Sequence, residues 1–170
     1  METVLVVYAS KMGSTAEIAQ AIGRQLTERG FFVDVKSTDH ALDARKYGAV
    51  IVGSAVYLRR WDKNAVHYLQ DQAPDLAERP TWLFQSGPCG TDALEHFEAP
   101  HVVTQLCEEI GATGPKTFGG NLDPHRAKTW LARKVTTGDL SGDFRDWDAI
   151  RDYANEIADV LESAPVTAAR

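Results

Sequence analysis

Five short apolar runs alternate with longer segments of helical periodicity, and this alternation limits the possible folds more than any other feature. In the run Thr3–Tyr8 (TVLVVY) the side chains that would point to either face of a strand are mostly apolar. This is typical of a parallel strand that is covered by helices on both faces. The alternation predicts an α/β fold with a mostly parallel sheet between two helical layers. The runs are Thr3–Tyr8 and residues 31–37, 49–57, 81–86 and 116–120.

Four segments place apolar residues at spacings of three and four, which predicts amphipathic helices. The first is followed by Gly30, a residue favoured just after a helix. The second contains Pro74, so we expect it to be interrupted or to end there. The segments are 15–29, 64–79, 98–110 and 146–161.

Length and composition exclude several classes of protein. A chain of 170 residues that is 44% apolar predicts a single domain, over residues 1–162, with a flexible tail at 163–170. A net charge of -6 argues against a nucleic-acid binder. The two cysteines, Cys89 and Cys107, form no CxxC pair, so we expect a reduced cytoplasmic protein without a metal site. No apolar run approaches the roughly 20 residues of a membrane span, which leaves only peripheral membrane contact.

The strand order predicts where a ligand binds. Parallel sheets of this kind bind ligands beyond the carboxyl ends of strands, at the point where the strand order reverses. For the order 2-1-3-4-5 that point lies between the first and third strands. The loops after Tyr8, Val52 and Phe84 are therefore the candidate site.

The first loop, SKMGST (residues 10–15), joins a strand to a helix, an arrangement that binds anions. Lys11 precedes the only glycine, Gly13, so the loop is not a nucleoside-triphosphate P-loop. It also lacks two glycines of the dinucleotide fingerprint. Hydroxyls and backbone N–H groups suit a single terminal phosphate. The alternative is that Ser14 or Thr15 merely caps the helix.

The second and third loops offer different surfaces. Residues 53–64 carry aromatic and apolar side chains for a planar ligand and two arginines for carboxylates, unless the tryptophan closes the core and the arginines are only solvated. Residues 85–90 (QSGPCG) bring backbone close to a ligand, which suits the polar edge of a ring. We assign no redox or nucleophilic role to Cys89, because no neighbouring group lowers its pKa.

A basic segment, residues 121–144, is too long for a simple connection. It carries four basic residues near Trp130 and Leu131. Three interpretations stay open: contact with an anionic membrane surface, contact with a carboxylated substrate, or an ordinary surface helix. The basic residues are Arg126, Lys128, Arg133 and Lys134.

These motifs resemble those of a known family. SKMGST resembles the phosphate loop of flavodoxins, with Met12 where that loop has a threonine. The segments GSAVYLRRW, FGGNLDP and GDFRDWDAIRDYANEIA resemble those of the menaquinone-dependent protoporphyrinogen dehydrogenases, which are flavodoxin-like. The resemblance implies a flavodoxin-like three-layer sandwich with a five-stranded parallel sheet of order 2-1-3-4-5, and FMN as cofactor.

The resemblance also implies residue roles. The flavin itself performs the chemistry, so no catalytic residue is assigned. The FMN phosphate would contact Ser10, Lys11, Met12, Gly13, Ser14 and Thr15. The isoalloxazine would lie beside Ala55, Val56, Tyr57, Leu58 and Trp61, with its polar edge at Ser86, Gly87, Pro88, Cys89 and Gly90. Substrate carboxylates would bind Arg59 and Arg60, with Arg126 or Arg133.

The implied function is an FMN-dependent oxidoreductase. Its specific form oxidises protoporphyrinogen IX to protoporphyrin IX with a quinone acceptor, in haem biosynthesis, in the cytoplasm or at the inner face of the membrane. One alternative is a flavodoxin electron carrier that docks protein redox partners, and another is a flavodoxin fold that has lost FMN. A homo-oligomer is compatible with each.

Overall fold

The computed structural model describes residues 2–87, 98–122 and 142–163. Five parallel strands form the main sheet in the order β2-β1-β3-β5-β6, which confirms the predicted fold class and strand order. A sixth, short strand, β4, pairs antiparallel with the end of β3 and was not predicted. The strands are β1 (Thr3–Ala9), β2 (Phe32–Ser37), β3 (Ala49–Tyr57), β4 (Arg60–Trp61), β5 (Thr81–Ser86) and β6 (Thr113–Phe118).

Two helices cover each face of the sheet in the described part of the chain. On one face, Ile18 and Ile22 of α1 share a core with Ile150 and Ile157 of α4. On the other, α2 and α3 pack over a second core that includes Leu69. The helices are α1 (Ser14–Glu28), α2 (Lys63–Ala77), α3 (His101–Ile110) and α4 (Trp147–Ser163).

Helix α2 runs unbroken through Pro74, so an interruption is wrong, but it ends at Ala77, three residues after the proline, close to the alternative end that the sequence predicted. Proline removes the N–H that would bond to the carbonyl of residue 70. Pro74 and Gln70 are both exposed, so water can bind that carbonyl. Leu69 and Leu76 are fully buried on either side of the proline and hold the helix on the sheet.

The last strand of the sheet lies earlier in the chain than predicted. We expected residues 116–120, whereas β6 covers Thr113–Phe118 and includes Pro115. Proline is tolerated there because, among the described residues, β6 is an edge strand whose single partner is β5. Gly119 and Gly120 follow the strand, and the carbonyl of Gly120 accepts a hydrogen bond from Phe144 N–H.

The ends of the basic segment 121–144 form a short antiparallel ribbon. Strand β7 (Asn121–Leu122) pairs with β8 (Gly142–Asp143). Residues 123–141 lie outside the described residues, as does the tail from residue 164. The three interpretations of this segment therefore stay predictions.

Candidate functional site

The carboxyl ends of β1, β3 and β5 lie side by side at one edge of the sheet. After β1 the chain turns to the face that holds α1 and α4, and after β3 it turns to the face that holds α2 and α3. This divergence opens a cleft between the two connections. The three loops that the sequence indicated all begin at this edge.

The β1–α1 loop is closed by a short hydrogen bond. Ser10 Oγ accepts from the N–H of Gly13 at 3.0 Å. Gly13 has a φ of 91°, which a residue with a side chain rarely adopts. Its carbonyl accepts from Glu17 N–H at 3.0 Å and so begins α1. The first N–H groups of α1 consequently lie just beyond the carboxyl end of β1.

No side chain among the described residues caps α1, so the interpretation of Ser14 or Thr15 as a simple cap is wrong. Ser14 Oγ instead accepts from the N–H of Asn121 at 3.1 Å, and Thr15 Oγ1 lies 2.6 Å from Ser86 Oγ. These bonds join the start of α1 to the end of β5 and to the start of the strand at residues 121–122, β7. A hydroxyl that accepts a hydrogen bond keeps its own proton, so Ser10 and Ser14 can still donate to an anion.

The loop after β3 is a tight hairpin with two strained residues. Val56 pairs with Trp61 and Tyr57 with Arg60, which leaves Leu58 and Arg59 as the turn. Their φ angles are 49° and 60°, as in a type I′ turn, where asparagine and glycine are usual. This backbone conformation has a conformational free-energy cost on the order of 1 kcal/mol for each of the two residues. Leu58 is 96% exposed at the apex, so its position is not explained by core packing.

Lys11 connects the first loop with the second. Its Nζ lies 3.5 Å from a carboxylate oxygen of Asp62 and 5.4 Å from the centre of the Tyr57 ring. Asp62 in turn accepts from Asn64 N–H and caps α2. The sequence interpretation missed Asp62, although an aspartate just before a helical segment is a usual N-cap signal.

Trp61 lies in the core beneath the hairpin. Its side chain is 5% exposed, and its indole N–H donates to Gln85 Oε1 at 2.8 Å. Ala55 is also buried, whereas Val56 and Tyr57 are partly exposed. Of the two interpretations of Trp61, the structure favours the one in which it closes the core.

This position makes a test possible. Trp61→Phe should lower the free energy of unfolding by about 1–3 kcal/mol, because it leaves the buried Gln85 oxygen without a donor. Trp61→Phe combined with Gln85→Met should recover part of that loss, since both polar partners are then gone. Urea denaturation measures both. The dissociation constant for FMN should not change, and a large rise would show that Trp61 stacks on the flavin.

The end of β5 borders the same cleft. Ser86 is the last residue of the strand and is buried, and the N–H of Gly87 donates to the carbonyl of Phe118 at 3.2 Å. Gly87 has a φ of 98°. Pro88, Cys89 and Gly90 lie outside the described residues, so their predicted contact with the flavin edge stays a prediction.

Exposed positive charge surrounds the hairpin, on a chain whose net charge is -6. Arg59 and Arg60 are both exposed, as the sequence predicted for a carboxylate-binding pair. Lys11 and Lys63 are exposed close by in sequence and in the cleft. Arg126 and Arg133 lie outside the described residues.

The comparisons with known proteins agree with this geometry. A family profile described as the flavodoxin domain matches residues 5–137. The chain belongs to the flavodoxin domain family. Membership identifies it as a redox flavoprotein with FMN as cofactor. Comparison of this flavodoxin domain with curated protein sequences finds no significant match.

Solved structures of flavodoxins and of a larger oxidoreductase share the fold of this flavodoxin domain. A flavodoxin from the domain Archaea has a TM-score of 0.67 at 17% identity, covering 94% of this chain and 99% of that one. A flavodoxin of Streptococcus pneumonia TIGR4 has a TM-score of 0.57 at 20% identity, covering 93% and 99%. Rubredoxin oxygen:oxidoreductase from Desulfovibrio gigas has a TM-score of 0.64 at 16% identity, covering 96% of this chain and 37% of that one.

The donors of the flavodoxin domain fit the phosphate of FMN. Uncapped amides at the start of α1 and the hydroxyl protons of Ser10 and Ser14 are the neutral donors that a terminal phosphate requires. Met12, where the family has a threonine, is partly buried and brings no further hydroxyl.

Metal sites and membrane-spanning helices are both absent from the described ranges. No group of histidine, cysteine and acidic residues there could hold a metal ion. None of the helices in those ranges is long and apolar enough to cross a bilayer.

Proposed function

We propose that the protein is an FMN-dependent oxidoreductase that acts on a carboxylated substrate. The phosphate would bind at Ser10–Thr15, and the flavin ring would lie in the cleft between the hairpin residues 55–58 and the end of β5 at 86–87. Bound FMN supplies the exchange of electrons or hydride. The chain supplies the phosphate donors, the walls of the cleft and the charge around its rim.

The observation that carries this proposal is the basic hairpin at the rim. Arg59 lies in the turn, whose φ angles are positive, and Arg60 is the first residue of β4; both are exposed. A guanidinium can bind a carboxylate through two parallel hydrogen bonds, so this pair suits a substrate with acidic side groups. Electron-carrier flavodoxins usually surround the flavin with acidic residues, whereas the hairpin described here adds two arginines next to a cleft lined by two lysines and two aspartates.

The specific reaction we propose is oxidation of protoporphyrinogen IX with a quinone as acceptor. Its support is the resemblance of the hairpin segment GSAVYLRRW and of the segments near residues 118 and 145 to the protoporphyrinogen dehydrogenases. The substrate is a macrocycle with propionate groups, which matches a basic rim beside a flavin cleft. Electrons and protons would leave the macrocycle for the flavin and pass from it to the quinone.

Leu58 favours a second candidate function, an electron carrier for protein partners. Its side chain is 96% exposed at the tip of the hairpin, and isolated apolar contacts of this kind occur at the centre of protein interfaces. A carrier of this type would dock an acidic partner. The two candidates differ in what the arginines recognise, a small carboxylated molecule or a protein surface.

Removal of the positive charges of Arg59 and Arg60 distinguishes the two candidate functions. Arg59→Gln with Arg60→Gln should raise KM for protoporphyrinogen IX by about tenfold or more, since each charge-assisted hydrogen bond is worth about 1.5–3 kcal/mol, and should leave kcat nearly unchanged. Steady-state assays with a menaquinone analogue measure this.

The matched control removes two exposed arginines from the other face of the sheet. Arg24 lies on α1 and Arg151 on α4, so Arg24→Gln with Arg151→Gln makes the same change in net charge. We expect this variant to keep the wild-type KM. An equal rise of KM in both variants would show that only net charge matters, and an unchanged KM in the hairpin variant would exclude the carboxylate site.

A further inference from the structure

Arg145 is a nearly buried guanidinium whose contacts converge at the start of α1. Its side chain is 5% exposed, and Nε and Nη2 donate to the two carboxylate oxygens of Asp143 at 2.7 and 2.6 Å. Nη1 donates to Glu17 Oε2, and the guanidinium lies 4.6 Å from the centre of the Trp147 ring. These hydrogen bonds, to Asp143 first and to Glu17, raise the pKa of Arg145.

The backbone around Arg145 is tied to the β1–α1 loop. Phe144 N–H donates to the carbonyl of Gly120, and the next residue, Asn121, donates its N–H to Ser14 Oγ. A Cβ on Gly119 would lie 1.9 Å from the carbonyl oxygen of Phe144, so the two segments touch through backbone. The position of Arg145 is thus fixed relative to the first turn of α1.

Glu17 lies in that first turn. A carboxylate there stabilises the helix through its dipole, but the same helix end is the proposed phosphate site, where an acidic side chain opposes a second negative charge. Arg145 places a positive charge beside this carboxylate and shares that charge with Asp143, which it also binds. The helix dipole and the free amides at the start of α1 can then attract the phosphate, while the repulsion from the Glu17 carboxylate is weakened.

We propose that Arg145 is a positioning residue for the FMN phosphate: it binds Glu17 and offsets part of the negative charge of that carboxylate beside the loop that binds the anion. The inference rests on the placement of the phosphate at Ser10–Thr15 proposed above. It assigns no contact between Arg145 and FMN. Tight binding of the FMN phosphate would then require a positive charge at residue 145, outside the phosphate loop.

The test compares FMN with riboflavin, which lacks the phosphate. Arg145→Met keeps an unbranched side chain over Trp147 and removes the charge. At low ionic strength its dissociation constant for FMN should rise by about tenfold, and that for riboflavin should stay at the wild-type value. Adding Glu17→Gln to this variant should restore most but not all of the affinity for FMN, because Arg145 no longer offsets the charge of Asp143. Quenching of flavin fluorescence gives all the dissociation constants.

Two results would overturn the proposal. One is an equal loss of affinity for FMN and riboflavin in Arg145→Met that Glu17→Gln does not reverse, since that pattern follows from altered structure. The other is an unchanged affinity for FMN. If Arg145→Met does not fold, Arg145→Lys serves instead: it should keep selectivity for FMN over riboflavin, and loss of that selectivity counts against the proposal. The placement of the phosphate is tested independently at Ser10.

Discussion

Replacing Phe84 by alanine should lower the free energy of unfolding by about 3–5 kcal/mol, as expected for a buried phenylalanine. The ring is fully buried in β5, and its centre lies 6.2 Å from that of Phe118. It also packs against the backbone of β3, where a Cβ on Gly53 would be 2.0 Å from the Phe84 Cζ atom. Removal of the ring leaves a cavity in the core between the sheet and helices α1 and α4, and urea denaturation measures the loss.

A double-mutant cycle tests the contact itself. Gly53→Ala alone should cost about 1–3 kcal/mol, because the methyl group meets the ring. In a background of Phe84→Leu the same change should cost less, since the smaller side chain leaves room for the methyl group. Strictly additive costs would contradict the close approach of ring and backbone.

Ser10→Asp should weaken FMN binding by about 100-fold or more. The aspartate can accept the hydrogen bond from Gly13 N–H as the serine does, so the loop keeps its shape. Its charge, however, faces the proposed phosphate, and two like charges at close range cost several kcal/mol near a protein surface. Titration with FMN, followed by flavin fluorescence, gives the dissociation constant.

Ser10→Asn is the matched control. Its amide oxygen accepts from the same N–H without a negative charge, so most of the affinity for FMN should remain. Riboflavin should bind the two variants equally. Equal binding of FMN to the Asp and Asn variants would place the phosphate elsewhere, and it would remove the basis of the inference about Arg145 as well.

The fold followed from the sequence because its signals are local and repeated. Runs such as Thr3–Tyr8 are apolar on both sides, and the helical stripes match the buried faces of α1 and α4. The ends of helices and strands were less predictable where contacts with the rest of the fold outweigh the local preference of a residue such as proline. Pro74 fits inside α2 because the carbonyl of Gln70, which loses its N–H partner, lies at an exposed position, and Pro115 fits in β6 because, within the described ranges, that strand pairs on one side alone.

The site was predictable in its loops but not in its contacts. The position of SKMGST after the first strand indicated an anion site, yet the hydroxyl pair of Thr15 and Ser86 joins residues 71 positions apart. The bond between Arg145 and Glu17 spans 128 positions. No local pattern encodes such pairs. The hairpin turn at Leu58 and Arg59 could not be predicted for a different reason. Both residues have positive φ, and neither leucine nor arginine is usual in such a turn.

The most direct test of the proposed function is anaerobic mixing of the FMN-loaded protein with protoporphyrinogen IX. We expect the visible flavin absorption to bleach at a rate that saturates with substrate, and to return when a menaquinone analogue is added. The methyl-esterified substrate, which has no carboxylates, should bleach the flavin more slowly at the same concentration. Absence of bleaching, or equal rates with the ester and the free acid, would contradict an oxidoreductase that recognises its substrate through Arg59 and Arg60.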